Sequence, residues 1–86
     1  MPRYGIQILP SAERELAALD SPIQRRIAAR IDALADTPRP PGAKKLQGAK
    51  DTWRVRVGDY RILYEVVDER VIVLVVKVGH RREVYR

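Results

Sequence analysis

Six consecutive aliphatic residues, Val71-Ile72-Val73-Leu74-Val75-Val76, constrain this chain more than any other segment. Side chains of a strand alternate between its two faces, so a strand without a polar member must meet apolar neighbours on both. The run is far shorter than the about 20 apolar residues that a membrane helix needs. Residues 1–10 lack the long apolar core of a secretory signal. The segment 70–78 is therefore expected to be an interior strand of a soluble, cytoplasmic domain, with helices on one side and a partly apolar surface on the other. A chain of 86 residues has room for one core, so residues 1–86 read as a single domain.

The neighbours of that strand follow from periodicity. Residues 52–57 put Trp53, Val55 and Val57 on one side and Arg54 and Arg56 on the other. Gly58-Asp59 fits a two-residue hairpin turn, with glycine in the first position of type II′. Residues 60–67 return as the next strand, and Asp68-Glu69 begins another reversal. Upstream, residues 3–9 alternate weakly and predict a first strand ending at Pro10-Ser11. Ser11 is expected to cap a helix whose Ala12, Leu16 and Leu19 form one stripe. Ser21, Pro22 and Gln24 make a capping-box pattern ahead of a second stripe, Ile23, Ile27, Ile31 and Leu34. Pro38, Pro40, Pro41 and Gly42 stop that helix and stiffen a crossover to residue 50. The expected fold is α+β in the order β-α-α-β-β-β, a helical hairpin packed on a mainly antiparallel sheet.

Charge narrows the partner. The formal net charge is +6, and residues 39–56 hold Arg39, Lys44, Lys45, Lys50, Arg54 and Arg56 against Asp51 alone. A basic excess built into folded segments points to a polyanion, with acidic proteins as the other class of partner. There are no cysteines and one histidine, which excludes disulfides, thiolate zinc sites and multi-histidine metal centres. Chemistry without a cofactor or metal is the expectation.

Arg54 and Arg56 share a strand face, and Arg61 opens the adjacent strand after a tight turn, so three guanidinium groups can converge. Arginine offers planar paired donors that match a phosphate, including one whose charge rises in a transition state. Strand arginines are also commonly just solvated, and the residues alone leave both readings open. Lys44, Lys45, Lys50 and Arg82 suit general attraction to a polyanion, with Arg82 also readable as plain surface. Tyr85, beside Arg81 and Arg82 near a polar terminus, can stack on an exposed base or pin the chain end to the sheet. His80 can exchange protons near neutral pH or serve as an ordinary loop residue. Trp53, Tyr60 and Tyr64 read as structural.

Taken in order, Lys45-Leu46-Gln47-Gly48, Trp53-Arg54-Val55-Arg56, Tyr60-Arg61-Ile62-Leu63-Tyr64, Val78-Gly79-His80-Arg81 and Val84-Tyr85 resemble the RelE branch of the RelE/ParE superfamily of toxins. The resemblance runs over essentially the whole chain. It implies a toxin of a type II toxin-antitoxin system that enters the ribosomal A site and cleaves mRNA without metal, by attack of a 2′-hydroxyl on the adjacent phosphate. It implies that Arg54 and Arg56, at positions usually held by lysine, orient the phosphate or assist removal of the 2′-proton. Arg61 would stabilise the phosphorane, Arg81 the leaving group, and Tyr85 would stack on a base. Arginine is a poor general base because its unperturbed pKa is above about 12, which leaves three readings: electrostatic catalysis with weak base assistance, groups supplied by ribosomal RNA, or His80 as the base. The implied partners are a cognate antitoxin with an acidic binding segment, the ribosome with its mRNA, and operator DNA only through the antitoxin complex. No membrane is implied. Two other readings share the fold: a ParE-like DNA gyrase inhibitor, and a non-enzymatic, antitoxin-bound repressor component.

Overall fold

A computed structural model describes residues 3–48 and 50–80. In chain order the elements are β1 (Gly5–Ile8), α1 (Pro10–Ala17), α2 (Ser21–Ala33), β2 (Lys44–Lys45), β3 (Thr52–Val57), β4 (Tyr60–Val67), a 3-10 turn (Asp68–Arg70) and β5 (Ile72–His80). The five strands form one sheet in the order β1-β5-β4-β3-β2. β1 runs parallel to β5, and every other pairing is antiparallel. The Val-rich run thus lies between two strands, as its unbroken apolar character requires.

The helical hairpin covers one face. Ala12 of α1 and Ile27 and Ile31 of α2 pack with Leu34 against Val55, Val57, Ile62, Tyr64, Val66, Val73, Val75 and Val78. In β3 and β4 these are alternate residues, so the polar members between them are turned to the outer face. Gly58 has φ of 60°, and Asp59 is not among the positive-φ residues, which excludes type I′ and leaves the expected type II′ turn. The turn closes Val57 against Tyr60, and that register fixes the rest of the hairpin.

Several boundaries differ from the sequence expectation. β1 is shorter than residues 3–9, and α1 starts at Pro10 with Leu9 in the cap position, so Ser11 lies in the first turn and caps nothing. The capping box at α2 does not form. Asp20 precedes the helix without a side-chain cap, and the Gln24 amide donates instead to the Leu16 carbonyl at 3.0 Å, tying the two helices together. β2 was not expected, because two lysines carry no strand periodicity and pair with β3 only through tertiary context. β5 begins later than residue 70 because Val71 sits in the left-handed region, φ 55°. A β-branched residue tolerates that conformation only when its surroundings hold it there.

Candidate functional site

β2, β3 and β4 assemble one basic surface from residues between 44 and 61. Arg56 is directly opposite Arg61, and Arg54 is directly opposite Lys44. Directly opposed residues of an antiparallel pair lie about 4.5–5.5 Å apart at Cα, so their side chains leave the sheet side by side. All four belong to the face away from the helical hairpin, since their neighbours in sequence, Val55, Val57 and Ile62, fill the core. Like charges placed directly opposite one another destabilise a sheet. Two such pairs, at alternate positions of β3, concentrate positive charge on this face.

Arg61 is the sharpest member. Only 8% of its surface is exposed, and it is the one charged residue in the buried class among the described residues. Its partner on β5 is Gly79. A glycine opposite the arginine leaves the surface in front of the guanidinium without a side chain from that strand. Arg56 is exposed and Arg54 intermediate, so the three grade from a buried cation to an exposed one.

The other sequence candidates fall elsewhere. Lys45 and Lys50 pair loosely with Asp51 and Glu65, at 3.7 and 3.9 Å. His80 is opposite Tyr60, with the two rings edge to face at 5.6 Å. That register puts His80 in phase with the helix-covered face, whereas Gly79 is in phase with Arg61. Arg81, Arg82 and Tyr85 lie outside the described residues. Trp53, Tyr60 and Tyr64 pack in or against the core.

Sequence reasoning missed how Arg39 is used. Instead of adding to a diffuse basic stretch, its guanidinium bridges Asp51 and Asp68 and lies over the Trp53 ring at 5.8 Å. Tyr4 donates to Asp68 at 2.6 Å, and the Trp53 indole N–H donates to Asp51 at 2.8 Å. The cluster binds the start of the chain, the crossover and the β4–β5 turn behind the arginine face. Nothing in local spacing signals a contact between Tyr4 and Asp68. Arg39 donates to Asp68 and, with help from Tyr4, holds its carboxyl below the usual range. Partial burial pushes Asp51 up, but hydrogen bonds from Arg39 and Trp53 outweigh it and leave that carboxyl lowered as well.

These two shifts set a pH dependence. Below pH about 4 the unfolded chain binds more protons at these carboxyls than the folded one, so their stabilisation is present above that range and lost as pH falls. Arg39→Ala is expected to destabilise the fold at neutral pH, with its deficit relative to the natural protein shrinking toward pH 2. Urea midpoints across an acid titration check this. A constant deficit at every pH would show that Arg39 acts only by packing.

The comparisons with known proteins agree with this geometry. The family model described as the ParE toxin of the type II toxin-antitoxin system parDE matches residues 6–85. The mRNA interferase toxin RelE of Escherichia coli is 33% identical over 86 residues, which cover 95% of this chain and 90% of that protein. A RelE-like toxin protein of Escherichia coli is 37% identical over 81 residues, 92% of this chain and 84% of the relative. Among solved structures, the toxin-antitoxin complex RelBE2 from Mycobacterium tuberculosis superposes with a TM-score of 0.82 at 30% identity, covering 94% of each chain. A small α+β toxin domain with a basic outer sheet face is thus the class that the fold and the site define. The chain belongs to the RelE/ParE toxin superfamily of type II toxin-antitoxin systems, with the RelE branch the better supported.

Proposed function

We propose that this toxin is a ribosome-dependent mRNA endoribonuclease that arrests translation. The observation that carries the reading is the placement of Arg61, a buried cation set opposite the like-charged Arg56 on an open sheet face. In the proposed reaction the 2′-oxygen attacks the adjacent phosphorus while the bond to the 5′-oxygen breaks. The products are a 2′,3′-cyclic phosphate and a 5′-hydroxyl. The nucleophile belongs to the substrate, so no cofactor or metal is assigned. Arg61 stabilises the charge that builds on the phosphorane oxygens, which a fixed, desolvated guanidinium does better than a hydrated one. Arg54 and Arg56 hold the phosphate in line. Arg81 stabilises the charge on the leaving 5′-oxygen, which takes its proton from water, and Tyr85 stacks on a substrate base. Lys44, Lys45, Lys50 and Arg82 draw in RNA. The ribosome supplies the orientation that a small open face cannot impose on a mobile strand.

The proton acceptor is the remaining role. His80 is paired with Tyr60 in phase with the opposite face, and arginine stays charged at all working pH values. With no side-chain base assigned, the single-turnover rate is expected to climb about tenfold per pH unit, without an inflection near neutrality. His80→Gln should leave that profile unchanged. An inflection between pH 6 and 8 that His80→Gln abolishes would restore the histidine as base.

The partner expected to silence the toxin is a cognate antitoxin, in line with the toxin-antitoxin complex that this chain resembles at 30% identity. An acidic antitoxin segment would relieve the opposed cations while denying them to RNA. Operator DNA would be reached only through that complex, and the site of action is the cytoplasm, where ribosomes are. The ParE family model favours a second reading, poisoning of DNA gyrase. It requires DNA breaks that depend on gyrase while mRNA is still intact.

A further inference from the structure

A second group of arginines continues from the reaction face around the edge of β3. Arg26 and Arg30 of α2 and Arg56 of β3 line an open groove of about 520 Å³, together with Ala29, Ala33, Val57 and Gly58. The Arg26 guanidinium reaches over the hairpin, with Nη1 3.8 Å from where a Cβ on Gly58 would stand. Arg26 and Arg30 are one helical turn apart, a spacing at which like charges repel. Among the described residues no carboxylate comes within ion-pair distance of Arg26, Arg30 or Arg56, although seven other pairings form across the molecule. The Nε of Arg30 is buried and has no hydrogen-bond partner among the described residues. β2 covers β3 only at Trp53 and Arg54, so the edge beyond them is open. Arg56 therefore stands at a rim shared by the outer face and the helix side.

We infer that this groove is a second phosphate subsite, in which Arg26 and Arg30 hold the backbone of the RNA strand whose scissile phosphate lies at Arg54, Arg56 and Arg61. The inference rests on the RNA-cleavage reading and extends it around the open edge of β3. Three guanidinium forks without a competing acid suit phosphodiester oxygens. A protein helix is a poorer fit, because the apolar lining is Ala29, Ala33 and the largely buried Val57, which offer little to a large anchoring side chain. Repulsion among the three cations is relieved when a phosphate enters, which couples occupation of the groove to the reaction face through Arg56.

The test uses the full chain and a fluorescein-labelled single-stranded RNA carrying 2′-deoxy residues, so that binding is read without cleavage. Arg26→Ala combined with Arg30→Ala is expected to weaken binding about 10- to 100-fold, the loss of two charge-assisted contacts. The slope of log affinity against log salt should flatten by about 1.4, the share of two phosphates on a single strand. Arg70→Glu removes the same net charge at the far end of β4 and should leave the slope unchanged. Arg26 is exposed, so Arg26→Ala alone should give half the change in slope if the double variant melts early. An unchanged slope and affinity in the variants would overturn the subsite. So would a loss of antitoxin affinity with RNA binding intact, which would make the groove a protein interface. If the natural protein fails to cut mRNA on ribosomes while the slope still flattens, the cleavage reading falls and the anion subsite stands.

Discussion

Arg61→Ala is expected to lower the single-turnover rate of mRNA cleavage on programmed ribosomes by about 10²- to 10³-fold, the usual loss when a preorganised donor to a developing oxyanion is removed. The size follows from burial. An exposed cation is screened and contributes little, whereas Arg61 is desolvated and fixed on β4 between Arg56 on β3 and Gly79 on β5. Arg61→Lys should recover part of the rate, since it restores a charge without the paired donors. Arg61 is buried and has contacts of its own, so the melting temperature of each variant is to be measured beside its rate. A variant that loses activity only because it has unfolded would contradict this assignment.

Tyr64→Ala is expected to cost about 3–5 kcal/mol, enough to leave much of so small a domain unfolded at 37 °C. Tyr64 is fully buried in the middle of β4, opposite Val75 and beside the irregularity in the β4–β5 ladder at Leu63 and Tyr64. Its hydroxyl donates to the Pro38 carbonyl at 2.7 Å, fixing the proline-rich crossover to the sheet. Burial pushes that phenol up to about 12. Tyr64→Phe keeps the ring but leaves the carbonyl unsatisfied, and should cost about 1–2 kcal/mol. Denaturant midpoints of the two variants separate the ring from the hydroxyl. Equal losses would mean that the hydrogen bond, and not packing, anchors the crossover.

The sheet and its helical layer were legible because periodicity is a local signal. The alternation of Trp53, Val55 and Val57 with Arg54 and Arg56 fixed both the buried face of β3 and the direction of its arginines, and Gly58 fixed the turn. Contacts made by folding were not legible. The parallel pairing of β1 with β5, the two-residue β2 and the cluster joining Tyr4, Arg39, Asp51 and Asp68 each depend on segments far apart in sequence. The Ser21 to Gln24 pattern misled because Gln24 found a better acceptor in the preceding helix. For the site, strand phase separated Arg61 from His80, a distinction that sequence proximity to Arg81 obscured. Lys77 is likewise taken up by Glu15, whose carboxylate accepts from its Nζ at 2.8 Å and from the Val78 amide at 3.1 Å, closing β5 beyond the reach of β1.

The central claim is cleavage by the substrate's own 2′-hydroxyl across the Arg54, Arg56 and Arg61 face. Its most direct test presents the purified toxin with ribosomes carrying one mRNA in two forms, one with an intact A-site codon and one with 2′-deoxy residues at the scissile position. The intact message is expected to be cut in the A site with a cyclic phosphate and a 5′-hydroxyl at the new ends, and the deoxy message to survive. Cleavage of both messages alike, or survival of both while gyrase-dependent DNA breaks accumulate in cells, would contradict it.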